Sequence, residues 1–250
     1  MSELRKIGAL WYREVLRYWR EKSRIVSSLI LPVLWLLVFG SGMRNVQLPG
    51  VDNYQTFIFP GILGMTLLFT SVWSGVSIIW DREFGFLKEI MVAPVSRTAI
   101  VVGKALGSGT SALVQGFILL PLSMLIGISL TPQSILLLIP IMILLAVGLV
   151  CVGLLIASLM NSMEGFNFIM SLVIMPMFFT SGALFPISSA PGWLQVFGYF
   201  NPLTYGVDLL RWATSPGTAT ALPVYAEVII LLGFAAAMIA ACSYTFNIKK

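Results

Sequence analysis

The segment that decides the fold is residues 135–159, ILLLIPIMILLAVGLVCVGLLIASL, which runs for 25 residues without a charged side chain. A helix of about 20 apolar residues is long enough to cross the hydrocarbon core of a bilayer. The apolar residues are continuous and do not alternate with polar ones, as they would in a strand of a membrane barrel. The segment therefore predicts a membrane-spanning helix.

The rest of the chain has the same character. Of its 250 residues, 58% are hydrophobic and 10% are charged, whereas a soluble domain carries about 25% charged residues. We therefore predict an all-α, polytopic membrane protein whose residues 1–250 form a single transmembrane domain with six transmembrane helices. Five of the six carry no charged residue, and the last contains Glu227. The predicted spans are Ile25–Met43, Phe57–Ile79, Ala105–Ile128, Ile135–Leu159, Phe166–Leu184 and Val224–Phe246.

The distribution of Lys and Arg predicts the orientation. Of the 15 basic residues, 13 precede the first span, lie between the second and third spans or end the chain, and Arg44 and Arg211 fall on the opposite side. Basic residues concentrate on the cytoplasmic side of a membrane. We therefore expect a multi-pass protein of the cytoplasmic (inner) cell membrane with both termini cytoplasmic. The net charge of +5 then reflects topology, and no nucleic-acid partner is expected.

Residues 1–24 predict an amphipathic helix that lies at the membrane surface in contact with lipids. Aromatic residues on an apolar face and a basic opposite face suit the interface of an anionic leaflet. The alternative is a charged segment that stops translocation without forming a helix. Because the first apolar run is a full span and begins only at Ile25, we expect no cleavable signal peptide. The apolar face comprises Leu4, Ile7, Gly8, Trp11, Val15, Tyr18 and Trp19.

Several classes of function are disfavoured by what the chain lacks. It contains no histidine, which excludes Ser-His catalysis and HExxH zinc sites. Cys151 and Cys242 lie in apolar stretches and predict packing residues, with no metal site. Gly103 and Lys104 are adjacent, as in a phosphate-binding loop, but that loop requires Gly at position 98 and Ser or Thr at position 105. This chain has Thr98 and Ala105 there. We therefore expect no catalytic residue and no cofactor on this chain.

The loop at residues 80–104 combines charged and apolar residues on the predicted cytoplasmic side. A short amphipathic helix is predicted there, ended by Pro94, because the residue before a proline disfavours the helical region. Apolar anchors with a polar rim are typical of a protein docking site. The alternative is a helix that only lies on the membrane. The residues concerned are Arg82, Glu83, Phe84, Phe86, Leu87, Lys88, Glu89, Ile90 and Met91.

Two segments carry a resemblance to a known family. REFGFLKEIMVAPVSRTAIVVGKAL (residues 82–106) resembles the cytoplasmic loop of type-2 ATP-binding-cassette (ABC-2) exporter permeases, in the daunorubicin-resistance and nodulation-factor branch. MPMFFTSGALFPISSAPGWLQVFGYFNPLTYGVDLLR (residues 175–211) is similar to the C-terminal signature of that family, with its FPxxxxPxW core. The resemblance implies a permease that pairs with a second copy or a paralogue and binds two ATPase subunits, which hold ATP and Mg. It also implies that residues 82–94 contain the coupling helix.

The segment at residues 185–214 predicts an outer re-entrant helical hairpin. Pro191 falls in the first turn of one short helix, and Asn201 and Pro202 are an N-cap and a first helical residue of the next. Asp208 and Arg211 are three residues apart and can pair on one helical face. The alternative is a loop lying flat outside the membrane. We assign the outer gate to Phe185, Pro186, Pro191, Trp193, Asn201, Pro202, Asp208 and Arg211.

The predicted function is that of the membrane subunit of an ABC exporter. Apolar, almost uncharged spans suit an amphipathic substrate such as a drug, a lipid or a lipid-linked glycan. The alternative is a stand-alone channel or secondary carrier, although ion-coupled carriers usually place ionisable groups near the bilayer midplane. An intramembrane enzyme is disfavoured because no paired mid-membrane carboxylates occur. The sequence leaves open the cargo and whether the permease forms a homodimer or a heterodimer.

The predicted orientation can be checked by replacing Lys250 with cysteine. A membrane-impermeant maleimide should leave this C-terminal cysteine unlabelled in intact cells and should label it after the membrane is made permeable. Labelling in intact cells would contradict a cytoplasmic C-terminus.

Overall fold

The computed structural model describes residues 3–43, 53–83, 96–125, 127–128, 130–160, 162–215, 218 and 220–248. Within these residues the chain forms ten α-helices, one 3₁₀ turn at Ile187–Ser189 and no strand. The α-helices are α1 Glu3–Arg20, α2 Lys22–Gly42, α3 Tyr54–Trp73, α4 Val76–Glu83, α5 Arg97–Leu125, α6 Pro132–Leu159, α7 Met163–Thr180, α8 Gly192–Phe200, α9 Pro202–Thr214 and α10 Val224–Ile248.

Six segments of the described helices are long and apolar enough to span a membrane, which confirms the predicted number. Their bounds differ from the predicted ones at several ends, including the start of the third span and the end of the fifth. The helix of the third span, α5, already begins at Arg97, so that Lys104 lies inside it. The helix of the fifth span, α7, ends at Thr180, because Gly182 adopts a left-handed φ of 72° that closes the last turn, and Leu184 falls beyond it.

Local capping explains where several helices begin. The side chains of Asn53, Thr131 and Ser162 accept hydrogen bonds from backbone N–H groups in the first turns of α3, α6 and α7. Such caps satisfy N–H donors that have no partner within the helix. Pro132 follows Thr131 as the first residue of α6, where its missing N–H and fixed φ are favourable.

Helix α3 is the centre of the bundle. It packs against α2, α5, α6 and α9, and most of its side chains are buried within the chain itself. By contrast, α2, α7 and α10 bury few of their residues and present apolar side chains such as Leu37, Phe168 and Ile229 outward. In a bilayer such surfaces contact lipid or another membrane protein.

Two glycines bring the α3–α4 junction into backbone contact with α6. Gly75 lies between α3 and α4, and a Cβ placed there would overlap the carbonyl group of Gly153 in α6. In the same way, a Cβ on Gly153 would overlap the carbonyl of Val72. Small residues allow this close approach of helices, which supplies van der Waals packing inside a membrane.

We expect Gly153→Ala to destabilise the protein, because the added methyl meets backbone that cannot move aside. Overpacking of this kind costs about 1–3 kcal/mol. The matched control is Gly233→Ala in α10, where nothing lies within 4 Å of the added Cβ and Ala is the better helix former. Thermal unfolding in detergent should show a lower midpoint for Gly153→Ala alone. Equal midpoints would contradict the close packing of α6 on α3.

Candidate functional site: a buried charge cluster

Four charged side chains meet where α4 ends and α5 begins, which we call the loop end of the bundle. They are Arg13 and Glu14 of α1, Asp81 of α4 and Lys104 of α5, and together they form the charge cluster. Lys104 is completely buried. Its Nζ lies 2.5 Å from Asp81 Oδ2 and 3.5 Å from Glu14 Oε1, and it donates to Ser77 Oγ at 3.1 Å.

Arg13 closes the charge cluster from the other side. Its Nη2 donates to Glu14 Oε1 at 2.7 Å and to Asp81 Oδ2 at 3.0 Å. Two cations therefore face two carboxylates, and the cluster has no net charge. A buried ammonium costs several kcal/mol unless it is paired and hydrogen-bonded, and the four groups together meet that requirement.

Glycines in α5 allow α1 to come close enough to complete the charge cluster. A Cβ on Gly103 would lie 2.6 Å from Leu10 Cβ, and one on Gly107 would overlap the side chain of Glu14. Two further contacts hold α1 in place: Trp11 donates to Thr110 Oγ1 at 3.0 Å, and Ser96 donates to Glu3 Oε2 at 2.6 Å. The close spacing of Gly103 and Gly107 thus serves the crossing of α1 and α5.

The ionisation of Glu14 follows from its neighbours. Burial alone would raise the pKa of Glu14, but Lys104 and Arg13 outweigh burial and hold this pKa below its ordinary value. Because the folded-state pKa is depressed, ionised Glu14 stabilises the fold at neutral pH. That contribution is lost as the pH falls through the lowered pKa.

The structure corrects the predicted surroundings of three of these residues. Lys104 and Asp81 are buried helical residues, although the sequence places them in a charged loop. Helix α1 is amphipathic as predicted, but it turns Leu10, Glu14 and Tyr18 toward the protein. Their spacing of four residues marks one helical face. The acidic Glu14 within that face was the signal in the sequence that this face contacts the protein. Trp11 and Trp19 remain exposed.

Most of the predicted docking residues lie outside the described residues. Arg82 and Glu83 are the last residues of α4, directly after Asp81. Their seven companions in the prediction, Phe84, Phe86, Leu87, Lys88, Glu89, Ile90 and Met91, fall in the part of the chain that the structure does not describe. The docking role of these residues stays a prediction.

The predicted outer-gate residues lie on or beside the 3₁₀ turn, α8 and α9. Phe185 and Pro186 precede the 3₁₀ turn, and Trp193 of α8 is exposed. Pro191 is predicted in the first turn of α8. It is instead the N-cap, one position earlier, because its extended backbone does not continue the helix. Asn201 caps α9 by accepting from Leu203 N and also donates to Met177 O in α7, and Pro202 is the first residue of α9.

The pair predicted at Asp208 and Arg211 is present. Arg211 Nη1 donates to Asp208 Oδ1 at 2.7 Å, and Nη2 donates to the carbonyl of Gly182 at 3.0 Å. The guanidinium also stacks over the ring of Phe57, 4.0 Å from its centre. Arg211 therefore joins α9 to the turn after α7 and to α3.

Comparison with known proteins agrees with this architecture. The family model described as "ABC-2 type transporter" matches residues 5–214. The chain belongs to the ABC-2 transporter family. This permease is thus a multi-pass membrane subunit of an ABC transporter, a family whose permeases work with an ABC ATPase.

Individual relatives cover most of the chain. The permease is 33% identical over 220 residues to "Putative transport permease ycf38" of Pyropia yezoensis, an alignment that spans 86% of this chain and 75% of the relative. The same-named protein of Cyanophora paradoxa is 31% identical over 78% of this chain and 69% of its own length. "Probable doxorubicin resistance ABC transporter permease protein DrrC" of Mycobacterium tuberculosis is 23% identical over 92% of this chain and 83% of its own length.

We expect Lys104→Met to destabilise the permease strongly, because it leaves two buried carboxylates facing Arg13 alone. Breaking a buried ion pair costs about 3–5 kcal/mol. The double variant Asp81→Asn/Lys104→Met restores a neutral cluster, so its loss should be smaller than the sum of the single losses. Thermal unfolding in detergent measures both.

The exposed Lys22 at the start of α2 provides the control. Lys22→Met should leave the unfolding midpoint nearly unchanged, since exposed charges contribute little. Strictly additive losses for Asp81→Asn and Lys104→Met would show that the two side chains do not interact.

Proposed function

We propose that this permease is the transmembrane subunit of an exporter that moves an amphipathic drug, lipid or lipid-linked glycan across the cytoplasmic membrane. The energy comes from ATP hydrolysed by two copies of a separate ATPase subunit, and a second permease copy or a paralogue completes the pathway. Relatives named for doxorubicin resistance, nodulation and multidrug transport support this range of cargo.

The charge cluster is the observation that carries the proposal. Asp81 directly precedes the residues to which we assign ATPase docking, and it is fixed to Lys104 in α5 and Arg13 in α1. Separating these groups would leave charges buried without partners. A displacement of residues 82–94 is therefore passed to α1, α4 and α5 together. This is what coupling of ATP hydrolysis to a membrane pathway requires.

The environment of Lys104 supports the placement of ATP on another chain. Gly103 and Lys104 lie within helix α5, whereas a phosphate-binding loop presents its backbone N–H groups ahead of a helix. The ammonium of Lys104 is already paired with two carboxylates. We therefore assign ATP and Mg to the partner subunits.

The segment at residues 185–214 is our proposed outer gate, built as a re-entrant hairpin. Its support is the set of contacts that tie α9 to the bundle: Asn201 to α7, and Arg211 to the turn after α7 and to α3. Non-helical backbone at membrane depth is stable when it is buried in protein or lines a cavity. Movement of α3 would reach this gate through Arg211.

We expect Phe84→Asp/Leu87→Asp to release the ATPase. Burying one such side chain fully is worth roughly 1.5–3 kcal/mol, so the double substitution should weaken binding about tenfold or more. Co-purification of the ATPase and substrate-stimulated hydrolysis measure the effect. Tyr225→Asp is the control, because Tyr225 is 70% exposed at the start of α10 and lies outside both the docking segment and the proposed outer gate.

A variant that holds its ATPase normally and still couples hydrolysis to transport would make the helix a membrane-surface element. Transport by the purified permease without any ATPase would favour the alternative, a stand-alone channel or secondary carrier.

A further inference from the structure

A polar cavity opens inside one copy of the permease, next to the charge cluster. It has a volume of about 270 Å³ and lies between α1, α2, α3 and α5, with Glu14 and Ser77 at the end shared with the charge cluster. Its walls carry many uncharged polar groups. These include Ser28, Thr66, Thr70, Ser74, Ser111 and Gln115.

Several hydroxyl groups of this wall donate their hydrogen atoms to backbone carbonyls. Thr66 donates to Ile62 O at 2.9 Å, and Ser111 donates to Gly107 O at 3.1 Å, each within its own helix. Ser74 does the same toward Ser71 O at 2.6 Å. A hydroxyl has one donor and two acceptor lone pairs. The oxygens of these three hydroxyls therefore keep lone pairs free, and they can accept hydrogen bonds that a ligand donates.

The amide of Gln115 is committed in the same way. Thr70 donates to its Oε1, and its Nε2 donates to Ser28 Oγ, which joins α3, α5 and α2 across the cavity. Ser28 in turn donates to Ile25 O at 2.9 Å. The amide bridges the helices with one of its two N–H groups, so the wall offers a donor as well as acceptors to a hydroxyl-bearing ligand.

The charge at the cavity argues against an ionic ligand. Glu14 lines it, but Arg13 and Lys104 already neutralise this carboxylate. Arg17, which also lines the cavity, is paired with Glu21 at 3.2 Å. Neither an ammonium nor a phosphate would find an unpaired opposite charge here.

One wall of the cavity is apolar and reaches the outer surface of the bundle. Leu31 of α2 and Trp73 of α3 line the cavity and are 46% and 41% exposed. Phe69 lies one turn before Trp73 on the same wall. An apolar chain attached to a bound polar group can leave the protein along these side chains toward lipid.

We propose that this cavity binds the uncharged, hydroxyl-bearing head group of an amphipathic molecule, with the apolar part of that molecule extending past Leu31 and Trp73. Binding at this cavity does not depend on the proposed export function; only the identification of the bound molecule as cargo rests on it. Two sources share the required chemistry: a sugar-headed membrane lipid and a soluble amphiphile that carries a sugar.

Photolabelling in nanodiscs tests the site without the ATPase. The probe is dodecyl glucoside with a diazirine beside the head group, and a phosphocholine probe with the same chain and diazirine is the comparison, since that head accepts hydrogen bonds but donates none. The glucoside should label α3 or α5 at the cavity, about tenfold more than the phosphocholine. Equal labelling, or stronger labelling by an alkylammonium probe, would overturn the proposal.

Matched variants test the role of the hydroxyls. Thr66→Val/Ser111→Ala should reduce glucoside labelling about tenfold. The control is Thr245→Val/Ser171→Ala, in which the lost hydroxyls also donate to the carbonyl four residues earlier but lie in α10 and α7. Ser74→Ala is a milder second variant, and gel filtration checks the folding of each. Unchanged labelling in the folded cavity variants would overturn the proposal.

Competition separates the two sources. A glucosyl diacylglycerol placed in the bilayer and unlabelled dodecyl glucoside added from solution are each tested for protection of the cavity. Protection by either one supports the site and identifies its source, and protection by neither one overturns the proposal. Because labelling requires no ATP, a failed ATPase co-purification would leave this result unaffected.

Discussion

A buried ammonium group is the constraint on which the loop end of this permease depends. Lys104 lies inside a helix and has no access to solvent, and an unpaired charge in such a place would cost several kcal/mol. Asp81, Glu14 and Arg13 must therefore be present together, which requires α1 to lie across α5 and α4 to end beside it. Gly103 and Gly107 are the residues that permit this crossing.

The opposite end of the bundle solves the same problem with a different cation. The guanidinium of Arg211 is held by Asp208, by the carbonyl of Gly182 and by the ring of Phe57. Both arrangements include a residue from the second span: Asp81 near its end and Phe57 near its beginning. The second span, formed by α3 and α4, therefore connects the proposed ATPase-docking end to the proposed outer gate. An element anchored at both ends is suited to carry motion between them.

Between these two ends several hydroxyls are satisfied within their own helices, and the amide of Gln115 joins α2, α3 and α5. Serine and threonine hydroxyls return their hydrogen atoms to nearby carbonyls, which removes the cost of an unsatisfied donor in an apolar medium. These hydroxyls keep lone pairs on their oxygens, which line one cavity as hydrogen-bond acceptors. The spans are thus almost uncharged, as the composition indicates, without being uniformly apolar. An amphipathic molecule meets both a polar recess and an apolar exit within a single copy of the permease.

The sequence by itself determined the features that depend on neighbouring residues. Continuous apolar runs specify six spans, Asn201 and Pro202 specify the start of α9, and the three-residue spacing of Asp208 and Arg211 specifies their pairing, because caps and helical faces are local. The two motif segments indicated the family. The tertiary structure alone decided that Glu14, Asp81 and Lys104 meet, since they come from different helices and their distances depend on how those helices cross. For the same reason only the tertiary structure decided the cavity. Its hydroxyls recur every three or four residues along one face of α3 and one face of α5, and how these two faces converge depends on the packing of the helices.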